Sequence, residues 1–175
     1  MSHATPTHDE ISGWFAGRLT DGWFAGAPEI TIDREEILVV GALADVELPA
    51  DASDAARGAA RASRIERFRD ESRGTRMSIA EDAQHRFRKI VSWGVRLGDE
   101  RTLFTTAGIP AMTRLRQPER IVLDTLVEAG VARSRSDALA WCVKLVGEHE
   151  GEWIGRLRDA LGAVEAARKA GPASA

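Results

Sequence analysis

In the first two thirds of the chain, apolar residues alternate or cluster over short spans, take up helical spacing, and then alternate again. Ile30 and Ile32 alternate within 29–33, and Ile37-Leu38-Val39-Val40 is a short apolar run with β-branched residues within 36–43. Both spans predict strands, with Arg34-Glu35 as a tight hairpin between them. Leu48-Pro49-Ala50-Asp51-Ala52-Ser53 closes this part with a proline stop and a candidate helix N-cap. From Asp54 to about Val91 the composition turns to Ala, Arg and Glu, and Ile65 and Phe68, then Ile79, Ala83 and Phe87, fall at helical spacing. Gly74 is the expected break in this long helix. Alternation returns over 89–97 through Ile90, Val91, Trp93, Val95 and Leu97. A turn at Asp99-Glu100-Arg101 then places 102–106 to pair back. The pattern over 11–107 is that of a small α+β unit: two strands, a long or broken helix, and one or two further strands.

The pattern of the last third differs. In Met112-Thr113-Arg114-Leu115-Arg116, strand geometry puts Thr113 and Leu115 on one face and Met112, Arg114 and Arg116 on the other. Gln117-Pro118-Glu119 opens a helix, because proline in the first turn removes an N–H that has no intrahelical acceptor. Val122, Leu123, Leu126 and Val127 form its apolar stripe, and Gly130 supplies the left-handed stop. Ser134-Arg135-Ser136-Asp137 precedes a second helix with Leu139, Cys142, Val143 and Val146 on one side. Trp153, Leu157, Leu161 and Val164 predict a third, amphipathic helix within 150–169. Residues 1–10 and 170–175 carry no ordering period and are expected to be flexible.

Two pentapeptides repeat nine residues apart, Gly13-Trp14-Phe15-Ala16-Gly17 and Gly22-Trp23-Phe24-Ala25-Gly26. Two copies are too few for a solenoid. The rings are expected to plug irregular backbone over the sheet, the alternative being an aromatic cleft for a ligand or bases. Arg57, Arg61, Arg64 and Arg67 recur every three or four residues. Such a stripe either meets phosphates or is a solvated face bonded to Glu66, Asp70 and Glu71.

Net charge of −3 hides a segregation: residues 1–56 hold two arginines against eleven acidic residues, whereas 57–89 hold ten basic against five acidic ones. An anionic partner is therefore met by a local patch rather than by the protein as a whole. A single cysteine, Cys142, rules out an intramolecular disulfide and a cysteine-rich zinc site. No apolar run approaches a bilayer span, and the N-terminus lacks the order of a signal peptide. Metal binding by His3 and His8, and acid/base work by Glu35 and Glu36, are weak candidates. His85 and His149 have no nucleophile at a recognisable spacing, and no Gly-rich phosphate loop follows a strand. Neither an enzyme nor a metal or cofactor is expected.

Within 108–149 the R-x-R strand, the proline soon after it, the L-D-x-L-V-x-A-G helix end and the S-R-S-D-A-L opening of the next helix resemble the ribbon-helix-helix family of DNA-binding proteins, the class of the Arc, methionine and CopG-type repressors. The resemblance implies a homodimer in which one strand from each chain pairs antiparallel and the ribbon enters the major groove of double-stranded DNA. By position, Arg114 and Arg116 are then base readers, guanidinium matching the two acceptors of guanine, with Met112 at the remaining outward position. Ser134 and Ser136, with Arg133 and Arg135 beside them, are placed to hold a phosphate at the N-terminus of the second helix, although either serine also suits a plain cap. Three departures stand out: Met112 where a polar residue is usual, Thr113 facing inward, and a short spacing from Pro118 to Leu123-Asp124. The implied role is a cytoplasmic, nucleoid-associated transcriptional repressor. The alternative is an antitoxin-like or scaffold dimer that holds a protein partner. The N-terminal unit resembles proteins of high-GC Gram-positive bacteria, and that resemblance brings no activity with it. It leaves room for a small ligand or a protein partner there.

Overall fold

The computed structural model describes residues 6–148 and 153–170. The chain is mixed α+β and divides into two compact units, 1–110 and 111–175.

In the first unit β1 (Glu29–Ile32) and β2 (Glu36–Ala42) form the expected antiparallel hairpin, Ile32 opposite Ile37. The Asp33 carboxylate closes the turn by accepting the N–H groups of Glu35 and Glu36 at 2.8 and 2.6 Å. β3 (Ile90–Leu97) lies parallel to β2, and β4 (Glu100–Leu103) returns antiparallel, for a sheet order β1-β2-β3-β4. Parallel neighbours need a long crossover. Here it is α2 (Asp54–Glu71), capped by Ser53, and α3 (Arg73–Phe87). Lys89 bonds the carbonyls of Asp33 and Arg34, tying the start of β3 to the hairpin turn.

Several expectations are corrected. The chain is ordered before residue 10: α1 (His8–Ala16) is opened by a Thr7/Glu10 capping box, and residues 1–5, with His3, lie outside the described residues. The first Trp-Phe pair is therefore helical, while the second stays in irregular backbone, with Gly22 at φ +77°. Flanking residues decide this, not the shared pentapeptide. Both pairs are spent on packing. Phe15, fully buried, meets Trp93 edge-on and Trp14 does the same against Phe87, whereas Trp23 and Phe24 close on Phe68. The ring of Phe24 lies on Gly41 of β2, where a Cβ would stand 2.1 Å from it.

The long helix breaks at Ser72, not Gly74. The Ser72 hydroxyl bonds the Phe68 carbonyl at 2.5 Å and accepts from Arg76 Nε at 2.9 Å. Buried Arg76 also donates to the Arg69 carbonyl at 2.6 Å and lies 4.8 Å over the Phe104 ring. Burial, then the charges of Arg69 and Arg73, hold its pKa below the ordinary arginine value. The carbonyl end of α2 offsets that charge in place of a carboxylate.

The arginine stripe is divided: Arg67 is exposed, whereas the other three are not fully solvated. Arg57, Arg61 and Arg64 are half-buried on the flank that also carries Ile65 and Phe68. Arg57 bonds the carbonyls of Ala50 and Ala52, and Arg61 bonds Asp45. The second turn also shifts: it falls at Gly98-Asp99, Gly98 taking φ +60°, so β4 starts before the expected 102–106.

The second unit holds α4 (Gln117–Glu128), α5 (Arg135–Glu148) and α6 (Trp153–Ala170). Gly130, at φ +74°, ends α4 with its own N–H bonded to Val127 O and that of Val131 bonded to Leu126 O. The strand expected over 112–116 is absent from the described chain: these residues form no regular element, and no strand among the described residues pairs with them. Residues 149–152 and 171–175, which include His149 and most of the expected flexible tail, lie outside the described residues.

Phe15→Ala is expected to cost about 3–5 kcal/mol by leaving a cavity, and Gly41→Ala about 1–3 kcal/mol by forcing the Phe24 ring away. Urea unfolding followed by tryptophan fluorescence measures both.

Candidate nucleic-acid interface

The residues singled out in the second unit gather at one end of the α4–α5 hairpin. Arg116 is the N-cap residue of α4 and holds extended backbone, so the segment before it leads straight into the helix. Arg120 reaches back to the Leu115 carbonyl at 2.9 Å and pins that segment. Leu115 is half-buried against the small core of Leu123, Ala132 and Ala138. Arg114 and Arg116 are exposed, as expected for an outward face, and Met112 is 98% exposed. Thr113 is exposed too, against the expectation that it faces inward. A surface depression of about 350 Å³, lined by Thr113, Leu115, Arg120, Arg135, Ser136 and Leu139 among others, runs beside the segment.

At the N-terminus of α5 the structure engages most of the expected phosphate ligands internally. The Ser134 hydroxyl accepts the Asp137 N–H at 3.2 Å and so caps the helix. The Asp137 carboxylate turns back to the Arg133 N–H at 3.0 Å and its Nε at 3.2 Å. Arg135 forks onto Asp124 of α4, Nε to Oδ1 at 2.5 Å and Nη2 to Oδ2 at 2.6 Å. Arg135 thereby staples the two helices together, and a phosphate arriving at this end competes with two aspartates. Ser136 is exposed on the first turn of α5.

These pairings move the titration of the groups involved. Hydrogen bonding to Arg135 lowers the Asp124 pKa and raises that of Arg135. The Arg133 amide and then its guanidinium lower the Asp137 pKa. Sequence reasoning passed over both aspartates. Asp137 had a signal, the S-x-x-D spacing from Ser134. Asp124 had none, because only the fold of the α4–α5 turn brings it to Arg135.

The apolar stripes of the hairpin are only partly covered. Leu123 is buried and Leu126, Val127, Leu139 and Cys142 are half-buried, whereas Ile121, Val122, Val143 and Val146 are exposed, Val143 by 65%. Elsewhere, His85 bonds only the Glu81 carbonyl one turn back. Among the described residues no group of three His, Cys, Asp or Glu side chains could hold a metal ion, and no helix is long and apolar enough to cross a membrane.

Residues 9–103, which take in α1 through β4, match the family described as Rv1265-like protein, N-terminal domain. The chain belongs to this family. Residues 116–168, from the start of α4 through most of α6, match a second description, the Mb1296 C-terminal domain. Relatives with these names include the uncharacterized proteins Rv1265 of Mycobacterium tuberculosis and Mb1296 of Mycobacterium bovis, each 60% identical over 168 residues, spanning 95% of this chain and 72% of the relative. No solved structure matches the chain. The two family descriptions follow the division of the chain into its two units, and neither names an activity.

The lowered carboxyl pKa values of Asp124 and Asp137 fix the sign of an acid effect. Their stabilisation is complete above the unfolded carboxylate value, about 3.9, and is lost as pH falls through the lower folded values. Asp124→Asn should therefore melt earlier than the parent at neutral pH, with the difference shrinking as pH falls below the unfolded carboxylate value, as followed by circular dichroism. A parent and variant that differ equally at neutral and acid pH would show that Asp124 acts through something other than its charge.

Proposed function

We propose that the protein is a homodimeric, sequence-specific DNA-binding protein of the transcriptional repressor kind, reading the major groove with a two-stranded ribbon made from 112–116 of each copy. The observation that carries this reading is the incompleteness of the second unit. Its leading segment half-buries Leu115 and leaves Arg114 and Arg116 exposed, with no strand beside it among the described residues, and the helices it leads into leave apolar positions open. A second copy supplies a strand for the free backbone groups and a cover for the open face. The paired strands then present four arginines in a row narrow enough for the groove.

In this reading Arg114 and Arg116 read bases, with Met112 at the ribbon edge against a thymine methyl. Phosphates are met by Ser136 and the helix end, while Arg133 and Arg135 chiefly hold the hairpin in shape. The first unit, whose aromatics and inner arginines are committed to its own packing, serves as a platform for a protein partner or small ligand. A second reading keeps the dimer but gives it a protein partner, as an antitoxin-like or scaffold module; the exposed Val143 and Val146 of α5 favour it.

Selection of bound fragments from a genomic DNA pool at stated salt, followed by anisotropy titration, tests the proposal. Arg114→Ala and Arg116→Ala are each expected to weaken binding to the selected site by about 1–3 kcal/mol, with a smaller effect on random duplex. Equal losses on both duplexes would remove the base-reading role. Light scattering is expected to give twice the chain mass.

A further inference from the structure

The helix α6 lies outside the ribbon-helix-helix pattern, and the reading above gives it nothing to do. Its apolar residues Ile154, Leu157, Leu161 and Val164 recur at intervals of three, four and three. That is the a-d-a-d order of a coiled-coil seam, with Arg168 at the next a position. Leu157, Leu161 and Val164 are all exposed, Leu161 by 66%. We propose that α6 pairs along this seam with α6 of a second copy, antiparallel, and so forms the clasp of the dimer. This inference rests on the dimer of the proposed function.

Three observations select that occupant. First, the spacing of the seam suits a helix of the same kind, since a strict a/d stripe is narrower than the face a globular core needs. Second, the flank is charge-complementary to itself only in the antiparallel sense. Arg158 and Glu165 occupy the same flanking position one heptad apart, and antiparallel pairing brings each beside the other's counterpart. In a parallel pair the flank position facing Glu165 is Ala160, which offers no opposite charge, and Arg158 and Glu165 do not face each other. Third, the family match over 116–168 takes α4, α5 and nearly all of α6 as one domain, so α6 is part of the module whose hairpin is left open.

Length decides how the pairing is achieved. An 18-residue helix carries little more than two heptads, short of the three to four that sustain a free coiled coil. Two α6 helices therefore pair only when something else holds them near each other, and a ribbon dimer does so at an effective concentration on the order of millimolar. Membrane docking of the same stripe is the competing outcome. The polar positions of α6 mix Asp159 and Glu165 with Arg156, Arg158 and Arg168, a less uniformly basic face than membrane docking wants.

The test is sedimentation equilibrium of the full chain. Leu157→Gln with Leu161→Gln is expected to raise the dimer dissociation constant at least tenfold. Arg158→Glu and Glu165→Arg are each expected to weaken the dimer by about two- to fivefold, the range of an exposed ion pair, and the double swap to restore it. A parent chain that stays monomeric at every concentration overturns the dimer and this inference with it. A dimeric parent whose Leu157/Leu161 variant dimerises equally well overturns the clasp alone, as does a double swap no better than the single changes. Parent chain that binds anionic vesicles, with binding lost in the Leu157/Leu161 variant and the dimer constant unchanged, assigns the stripe to membrane instead.

Discussion

The parallel pairing of β2 with β3 is the constraint from which the first unit follows. Two parallel neighbours cannot be joined by a hairpin, so the chain must leave the sheet, cross it and return. The crossing takes the form of two helices set at an angle by Ser72 and Arg76, and these supply Ile65, Phe68, Ile79, Ala83 and Phe87 to the core. One sheet face then lies under helices, and the two Trp-Phe pairs fill the margins that α2 and α3 leave. The flat face of Gly41 and the tight approach of Leu103 to Gly94 show how close that packing runs. Rings and guanidiniums that look available in the sequence are consumed here.

The second unit obeys a different constraint, scarcity of core. Three buried residues, Leu123, Ala132 and Ala138, sit at the centre of the α4–α5 hairpin, and so few cannot exclude water from three helices. Polar devices at the hairpin end make up part of the deficit: the Gly130 stop, the Ser134 cap and the Arg135–Asp124 fork. Because these bonds are exposed, each contributes modestly, and the Arg135–Asp124 fork depends on pH and salt as well. The apolar face left open on α4 and α5, and the seam left open on α6, point the same way as the unpaired 112–116 segment. In the proposed dimer all three are answered by one partner of the same sequence.

Legibility in the sequence followed the range of the interaction. The β1–β2 hairpin, the helical spacing of Ile65 through Phe87, the Pro118 start and the Gly130 stop were readable, since each is set by residues within a few positions of one another. The capping box of Thr7 and Glu10 was equally local, but the glycines and aromatics that follow carry no clear period and hid α1. Gly74 drew attention as a helix breaker, yet the bend falls at Ser72 because a buried hydroxyl and Arg76 can satisfy the carbonyls there. The side on which Arg57, Arg61 and Arg64 lie was not readable from their spacing, because that depends on which flank of α2 meets the sheet.

By itself, then, the sequence determined the mixed α+β class and the order of most elements, through short-range periodicity and turn chemistry; alternation over 112–116 did not decide exposure there, since Thr113 is exposed along with Arg114 and Arg116. Only the tertiary structure decided which charges are spent. Asp124 and Arg135 are eleven positions apart and meet because the α4–α5 turn closes, and Asp45 reaches Arg61 because α2 packs against the sheet. It also decided that 112–116 has no strand partner among the described residues. Strand pairing is a property of two backbones, and a single sequence specifies only one of them.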